Sequence, residues 1–276
     1  MTVRIVTLSE NTANFRFLAE WGLSFLITTD NCQILFDTGL STTVVHNAQV
    51  LGIDLSDIDK IVLSHGHADH TGGLHEVLKR TGKKVEVIAH PDIWASKYVR
   101  LGEQEFYAGI PFQREELESL GASFNLTRQP MHLGDGIMTT GEIPMSTGYE
   151  EVDPNIFVKQ GDSLYPDPLT DDLAVIIDTE HGLIVVLGCA HRGVINTLHH
   201  AQKLTGKKLI HTVIGGIHLF RASENQVEQT IRALKEMEIK KIGISHCTGF
   251  YASCRLAQEF GDIFSLNNAG SCFTLP

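Results

Sequence analysis

The run His65-Gly66-His67-Ala68-Asp69-His70 places four metal-ligating side chains within six residues, after a β-type stretch and before Thr71-Gly72-Gly73. Gathering three imidazoles and a carboxylate without a cation costs desolvation and repulsion, so this chain is expected to fold around a metal-holding loop. A tight loop points alternate side chains to opposite sides, which puts His65 and His67 toward one metal and Asp69 and His70 toward a second. Imidazole and carboxylate at this density suit Zn²⁺, with Fe or Mn as alternatives. Gly66 and Ala68 let the backbone turn tightly between the ligands. Asp69 is also the candidate catalytic proton acceptor.

The flanking sequence alternates short strands and helices. Residues 4–8, 24–29 and 33–36 are β-type, the last two joined across Asp30-Asn31 as a hairpin. A helix over 43–51 and a strand over 60–64 lead into the histidine run. The second half repeats this layout, with strands over 173–178 and 183–187, a helix over 193–204, and a strand over 209–214 leading to His218. A helix over 224–237, apolar at three- and four-residue steps, and a strand over 241–244 then deliver His246. The stretch 93–126 reads either as an insertion over the active-site mouth or as a pair of surface helices. No linker divides the chain, so residues 1–276 read as one domain of two pseudo-repeated halves, roughly 1–130 and 131–276. Such halves, packed sheet on sheet with helices outside, make an α+β, four-layer αββα sandwich.

Charge narrows the partners. A formal net charge of −11, with no Lys/Arg cluster longer than a pair, argues against nucleic acid. No stretch reaches the roughly 18 apolar residues of a membrane span, and the first 30 residues lack a basic segment followed by an apolar core. The expectation is a cytoplasmic protein acting on a small molecule, with no membrane partner. Five cysteines without paired spacing read as reduced thiols.

Ser64-His65-Gly66-His67-Ala68-Asp69-His70-Thr71-Gly72-Gly73 resembles the HxHxDH signature of the metallo-β-lactamase superfamily. Ile34-Leu35-Phe36-Asp37-Thr38-Gly39 is similar to that family's early strand, whose Asp supports the metal loop by hydrogen bonding a ligand imidazole. The resemblance implies two divalent metal ions and further ligands from the second half. Family members usually place a third histidine before the strand at 173–178, but Pro168-Leu169-Thr170-Asp171-Asp172 has none. Leu187-Gly188-Cys189-Ala190-His191 stands where the family often has an Asp or Cys ligand. His191 is therefore expected to complete the first metal's shell, and Cys189 is either a thiolate ligand or a buried structural thiol. His246 matches the family's final ligand position better than His218, which becomes a group near the metals or the substrate.

Gly188-Cys189-Ala190-His191-Arg192-Gly193, Ile214-Gly215-Gly216-Ile217-His218-Leu219 and Ser245-His246-Cys247-Thr248-Gly249 together resemble the dihydropterin-methyl-ribofuranosyl-aminobenzene-phosphate synthase-like branch. That resemblance leaves two catalytic readings. One is a metal-dependent hydrolase that activates water against a small phosphate-bearing substrate. The other is a transferase condensing a pterin diphosphate with an aminobenzene ribose phosphate. In either, Arg192, Arg221 and the turns at Gly215-Gly216 and Thr248-Gly249 are candidate phosphate holders. A non-catalytic metal-binding protein is the third reading.

Overall fold

In the computed structural model, which describes residues 1–275, the alternation of short apolar runs and helices resolves into three sheets and their covering helices. The chain divides into two compact units. One comprises residues 1–128, 154–171 and those from 268 on; the other comprises 129–153 and 172–267. The change near residue 128 lies close to the expected midpoint, but 154–171 and the C-terminal strand return to the first unit.

The first unit's main sheet runs in the order Cys272–Leu275, Val3–Ser9, Ser24–Thr28, Gln33–Phe36, Lys60–Val62, Val85–Ala89, Ala122–Leu126. Its first three pairings are antiparallel and its last three parallel. The Asp30-Asn31 hairpin sets the register Thr28↔Gln33, as its turn residues predict. Helix Thr43–Leu51 has the expected bounds and stops at Gly52, whose left-handed φ of 69° returns its N–H to the Ala48 and Gln49 carbonyls. Leu35, Ile61, Val87, Val44 and Leu78 join one buried cluster on the helix-bearing face.

The second unit's sheet has the order His132–Gly134, Ile137–Thr139, Ala174–Thr179, Gly182–Leu187, Ile210–Gly216, Lys241–Ser245, Phe264–Leu266. Again three antiparallel pairings give way to three parallel ones. In both sheets the change of sense follows a central hairpin, because a parallel strand needs a crossover and each crossover here carries a helix. In this unit the crossover helices are Val194–Thr205, Glu224–Glu236 and Phe250–Phe260, the second capped by the Ser223 hydroxyl accepting the Gln226 N–H.

Two expectations need correcting. The strand leading to the histidine run ends at Val62, not Ser64, because the Ser64 N–H donates to the Asp37 carboxylate at 2.7 Å and leaves the ladder. The stretch 93–126 holds no helix pair. Its only α-helix is the short Arg114–Ser119, while Lys97–Leu101 and Gln104–Tyr107 form a hairpin in a four-stranded antiparallel sheet with Ile156–Gln160 and Ser163–Pro166. The aromatic and β-branched pairs Tyr98↔Tyr107 and Val99↔Phe106 favour strands there. No helix among the described residues is long and apolar enough to cross a membrane.

One buried polar side chain ties the first unit together. The Asn47 amide donates to the Leu8 and Leu18 carbonyls at 2.8 and 2.9 Å and accepts the Leu18 N–H at 2.9 Å. Asn47→Ala removes these three hydrogen bonds to the backbone. Urea denaturation should register a loss of about 2–3 kcal/mol; an unchanged midpoint would mean that water replaces the amide.

Candidate metal centre

The histidine run of the first unit lies at the end of strand Lys60–Val62 and turns at once into the short helix Ala68–Thr71, so the expected tight loop is half helical. His65 and His70 are fully buried and His67 nearly so. Ring centroids lie 4.6 Å apart for His65 and His67 and 4.2 Å for His65 and His70. The Asp69 carboxylate stands 4.0 Å from His70 Nε2.

Hydrogen bonding determines which nitrogens are available. The Ser64 hydroxyl has one proton and donates it to Asp37 Oδ2 at 2.7 Å. Its contact with His65 Nδ1, at 2.8 Å, is then one in which the imidazole N–H donates. His70 Nδ1 likewise donates to Asp37 Oδ2 at 2.7 Å. Both rings are held in the tautomer that presents an Nε2 lone pair, and His65 Nε2 approaches His67 Nδ1 to 2.9 Å. Buried imidazoles with converging nitrogens, and a carboxylate orienting them from behind, suit a divalent cation. The residues fit the metal that the sequence implies. Asp37 itself adopts a left-handed φ of 60° and is fully buried.

Sequence reasoning missed a second support of this loop. The Gly66 N–H donates to Asp171 Oδ2 at 2.8 Å, and Lys97 Nζ donates to Asp171 Oδ1 at 2.9 Å and Asp167 Oδ2 at 2.8 Å. Burial alone would lower the Lys97 pKa, but the two carboxylates outweigh it and raise it. Burial also raises the Asp171 pKa, against the pull of Lys97 and the Gly66 N–H. A side chain at position 66 would meet the Ile93 carbonyl at 2.3 Å, so the spacer must be glycine.

In the second unit the predicted residues gather around Cys189. Its sulfur lies within 4.8 Å of a ligand atom on each of His191, His218, His246 and Cys247. Of these, Cys247 carried no functional expectation. The His191 and His218 rings have centroids 4.1 Å apart. Burial disfavours a Cys247 thiolate, yet interactions with Cys189 and His218, and charge on His218 and His246, hold its pKa well below the usual thiol range. Burial would lower the His218 pKa, but Cys247, Asp153 and Asp172 raise it.

Three of the expected phosphate holders, Arg192, Gly216 and Arg221, have partners within this unit. Arg192 Nε donates to the Ile143 carbonyl at 2.5 Å, and its backbone N–H to Asp172 at 2.9 Å. The Gly216 N–H donates to the Gly188 carbonyl at 3.0 Å. Arg221 stands 3.5 Å from Asp153 and stacks over Phe220.

The chain belongs to the metallo-β-lactamase superfamily, whose family profile matches residues 22–246. The 7,8-dihydropterin-6-methyl-4-(β-D-ribofuranosyl)-aminobenzene-5'-phosphate synthase of Methanocaldococcus jannaschii is 36% identical over 97% of this chain and 95% of its own length. An uncharacterized protein of the same archaeon is 32% identical over 92% of this chain and 94% of its own. Among solved structures, a metal-dependent hydrolase of the β-lactamase superfamily matches with a TM-score of 0.85 at 27% identity, covering 98% of both chains. The fold is therefore the α+β metallo-β-lactamase type, its homologues are enzymes, and the fold implies divalent metal.

Lys97→Met removes the ammonium and leaves Asp167 and Asp171 buried without a counter-charge. The expected cost is about 3–5 kcal/mol in chemical denaturation, with part regained in the Lys97→Met/Asp171→Asn double variant. Equal loss in single and double variants would show that the ion set does not act as a unit.

Proposed function

We propose that this protein is a metal-dependent hydrolase acting on a small, phosphate-bearing substrate through two divalent ions, most simply zinc. The ligands in this reading are His65, His67, Asp69 and His70 in the first unit, and His191 and His246 in the second. The observation that carries the proposal is the Asp37–Ser64 network, which holds His65 and His70 in the tautomer with the lone pair on Nε2. A bound divalent pair supplies a water of lowered pKa and polarises a substrate oxygen. The chain's own part is to hold the imidazoles rigid through Asp37 and Ser64 and to accept a proton at Asp69. The Asp69 side chain keeps 19% exposure, whereas His70 beside it has none. It is thus the group of the run open to an incoming nucleophile.

A second reading is favoured by the 36% identity that spans nearly the whole synthase. In it the same residues serve a condensation, with Asp69 taking the proton of an attacking arylamine as diphosphate leaves. One pair of assays separates the two. Hydrolysis of phosphodiesters, lactones or thioesters by metal-loaded protein supports the first reading. Pyrophosphate release that requires both a pterin diphosphate and an aminobenzene ribose phosphate supports the second. Full metal occupancy without turnover in either assay overturns both.

Two substitutions test the residue roles. His246→Ala should lose about one metal equivalent by elemental analysis, since a catalytic site of this type relies on about three protein ligands per ion. Asp69→Asn should lower kcat by about 10²- to 10⁴-fold, the usual contribution of a positioned proton acceptor. Retention of both metals by the first variant, or of full kcat by the second, removes the residue from its role.

A further inference from the structure

Three adjacent parallel strands of the second unit, Gly182–Leu187, Ile210–Gly216 and Lys241–Ser245, end at the same edge of their sheet. Two residues beyond each end stands a soft or borderline ligand: Cys189 after Leu187, His218 after Gly216 and Cys247 after Ser245. We infer that Cys189, His218 and Cys247 form a thiolate-bearing cation site for zinc or another thiophilic metal ion, additional to the histidine-loop ligands.

Several independent features support this assignment. One ligand atom from each residue lies within 4.8 Å of the other two. Tetrahedral zinc with bonds of about 2.3 Å to sulfur and 2.0 Å to nitrogen needs donor separations of about 3.5–3.8 Å. The three donors, all within 4.8 Å of one another, stand about 1 Å from that range at most. Both thiols are buried and reduced. Both ring nitrogens of His218 are buried, Cys247 is the thiol it interacts with, and Asp153 stands 4.0 Å from its Nε2, where it can orient the ring.

The backbone is shaped to admit the sulfurs. A Cβ at position 216 would lie 2.6 Å from Cys247 Sγ, so only glycine leaves room for that thiol. Ala190, His218 and His246 take left-handed φ values of 50°, 47° and 53° although none is glycine. Such conformations are strained for these residues and persist where surrounding structure enforces them. They turn the chain at each of the three strand ends, which is the place where open α/β sheets bind ligands.

Binding is a ligand exchange without redox change. The cation loses waters and gains two sulfurs and one imidazole nitrogen, and each thiol that was protonated releases its proton to solvent. Cys189 also neighbours His191 and, separately, His246 within this unit, so its sulfur can bridge this cation and one held by either imidazole.

The test is cobalt(II) substitution of chelator-stripped protein, read by absorption. Histidine and aspartate ligands alone give only weak visible bands, whereas thiolate ligands add strong near-ultraviolet charge transfer. The expected result is charge-transfer absorption in the parent, reduced by about half in Cys247→Ser, because one of two thiolates remains. His218→Ala should shift the visible bands, and Cys254→Ser, which alters an exposed cysteine, should match the parent. The parent measurement needs no variant to fold. Absence of charge transfer in the cobalt-loaded parent, or undiminished intensity in Cys247→Ser, overturns the site.

Discussion

The first unit's chemistry depends on one buried carboxylate. Asp37 follows strand Gln33–Phe36, enters a left-handed turn, and accepts three hydrogen bonds, from the Ser64 N–H, the Ser64 hydroxyl and His70 Nδ1. Those contacts stop the next strand at Val62 and start the histidine run. They also decide the tautomers of two imidazoles without a metal having to do so. A carboxylate buried this deeply is costly unless its lone pairs are satisfied, and here fold and site satisfy it together. Local secondary structure, loop path and ligand orientation are one problem with one solution.

Much of this was legible from sequence because it is local. The histidine spacing, the Asp30-Asn31 hairpin and helix Thr43–Leu51 each depend on residues within a few positions of one another. Asp37 was legible as well, though only through a resemblance, since nothing in its own vicinity announces a partner at position 64 or 70. The stretch 93–126 was not legible. Its aromatics mix with Glu and Arg without clear period, and its first strand takes its second partner from residues 156–158, over fifty positions away. The segment 168–172, which lacks the histidine usual in the family, instead supplies Asp171, whose carboxylate accepts the Gly66 N–H across 105 residues.

Cys247 shows the same limit in the second unit. A single cysteine after a histidine has no ligand spacing in the sequence. Its meaning arises from register: Leu187 pairs with Gly215 and Gly215 with Ile244, so three strand ends come level and the residues two steps beyond them meet. Both sheets pass from antiparallel to parallel pairing after a central hairpin, and each offers its ligand-type side chains from the carboxyl ends of parallel strands. The two units thus share the order of strand sense and carry buried ligand-type side chains just beyond parallel strand ends. The side chains placed there differ, imidazoles and carboxylate in one unit and thiols with imidazoles in the other.

Lys97, Asp167 and Asp171 raise the question of why a fold retains a buried ion set. Such groups seldom stabilise more than apolar residues of equal volume, and burial raises the Asp171 pKa despite the pull of Lys97. Three apolar side chains could fill the same space, but none could accept the Gly66 N–H. That N–H sits between His65 and His67, and position 66 tolerates no side chain because of the Ile93 carbonyl. A glycine chosen for space is the residue whose backbone most needs an external restraint. The carboxylate of Asp171 supplies it, and two buried carboxylates 2.8 and 2.9 Å from one ammonium require that ammonium in turn. The four-stranded sheet that brings Lys97 is therefore part of what holds the histidine run in shape, although none of its strands contributes a residue to that run.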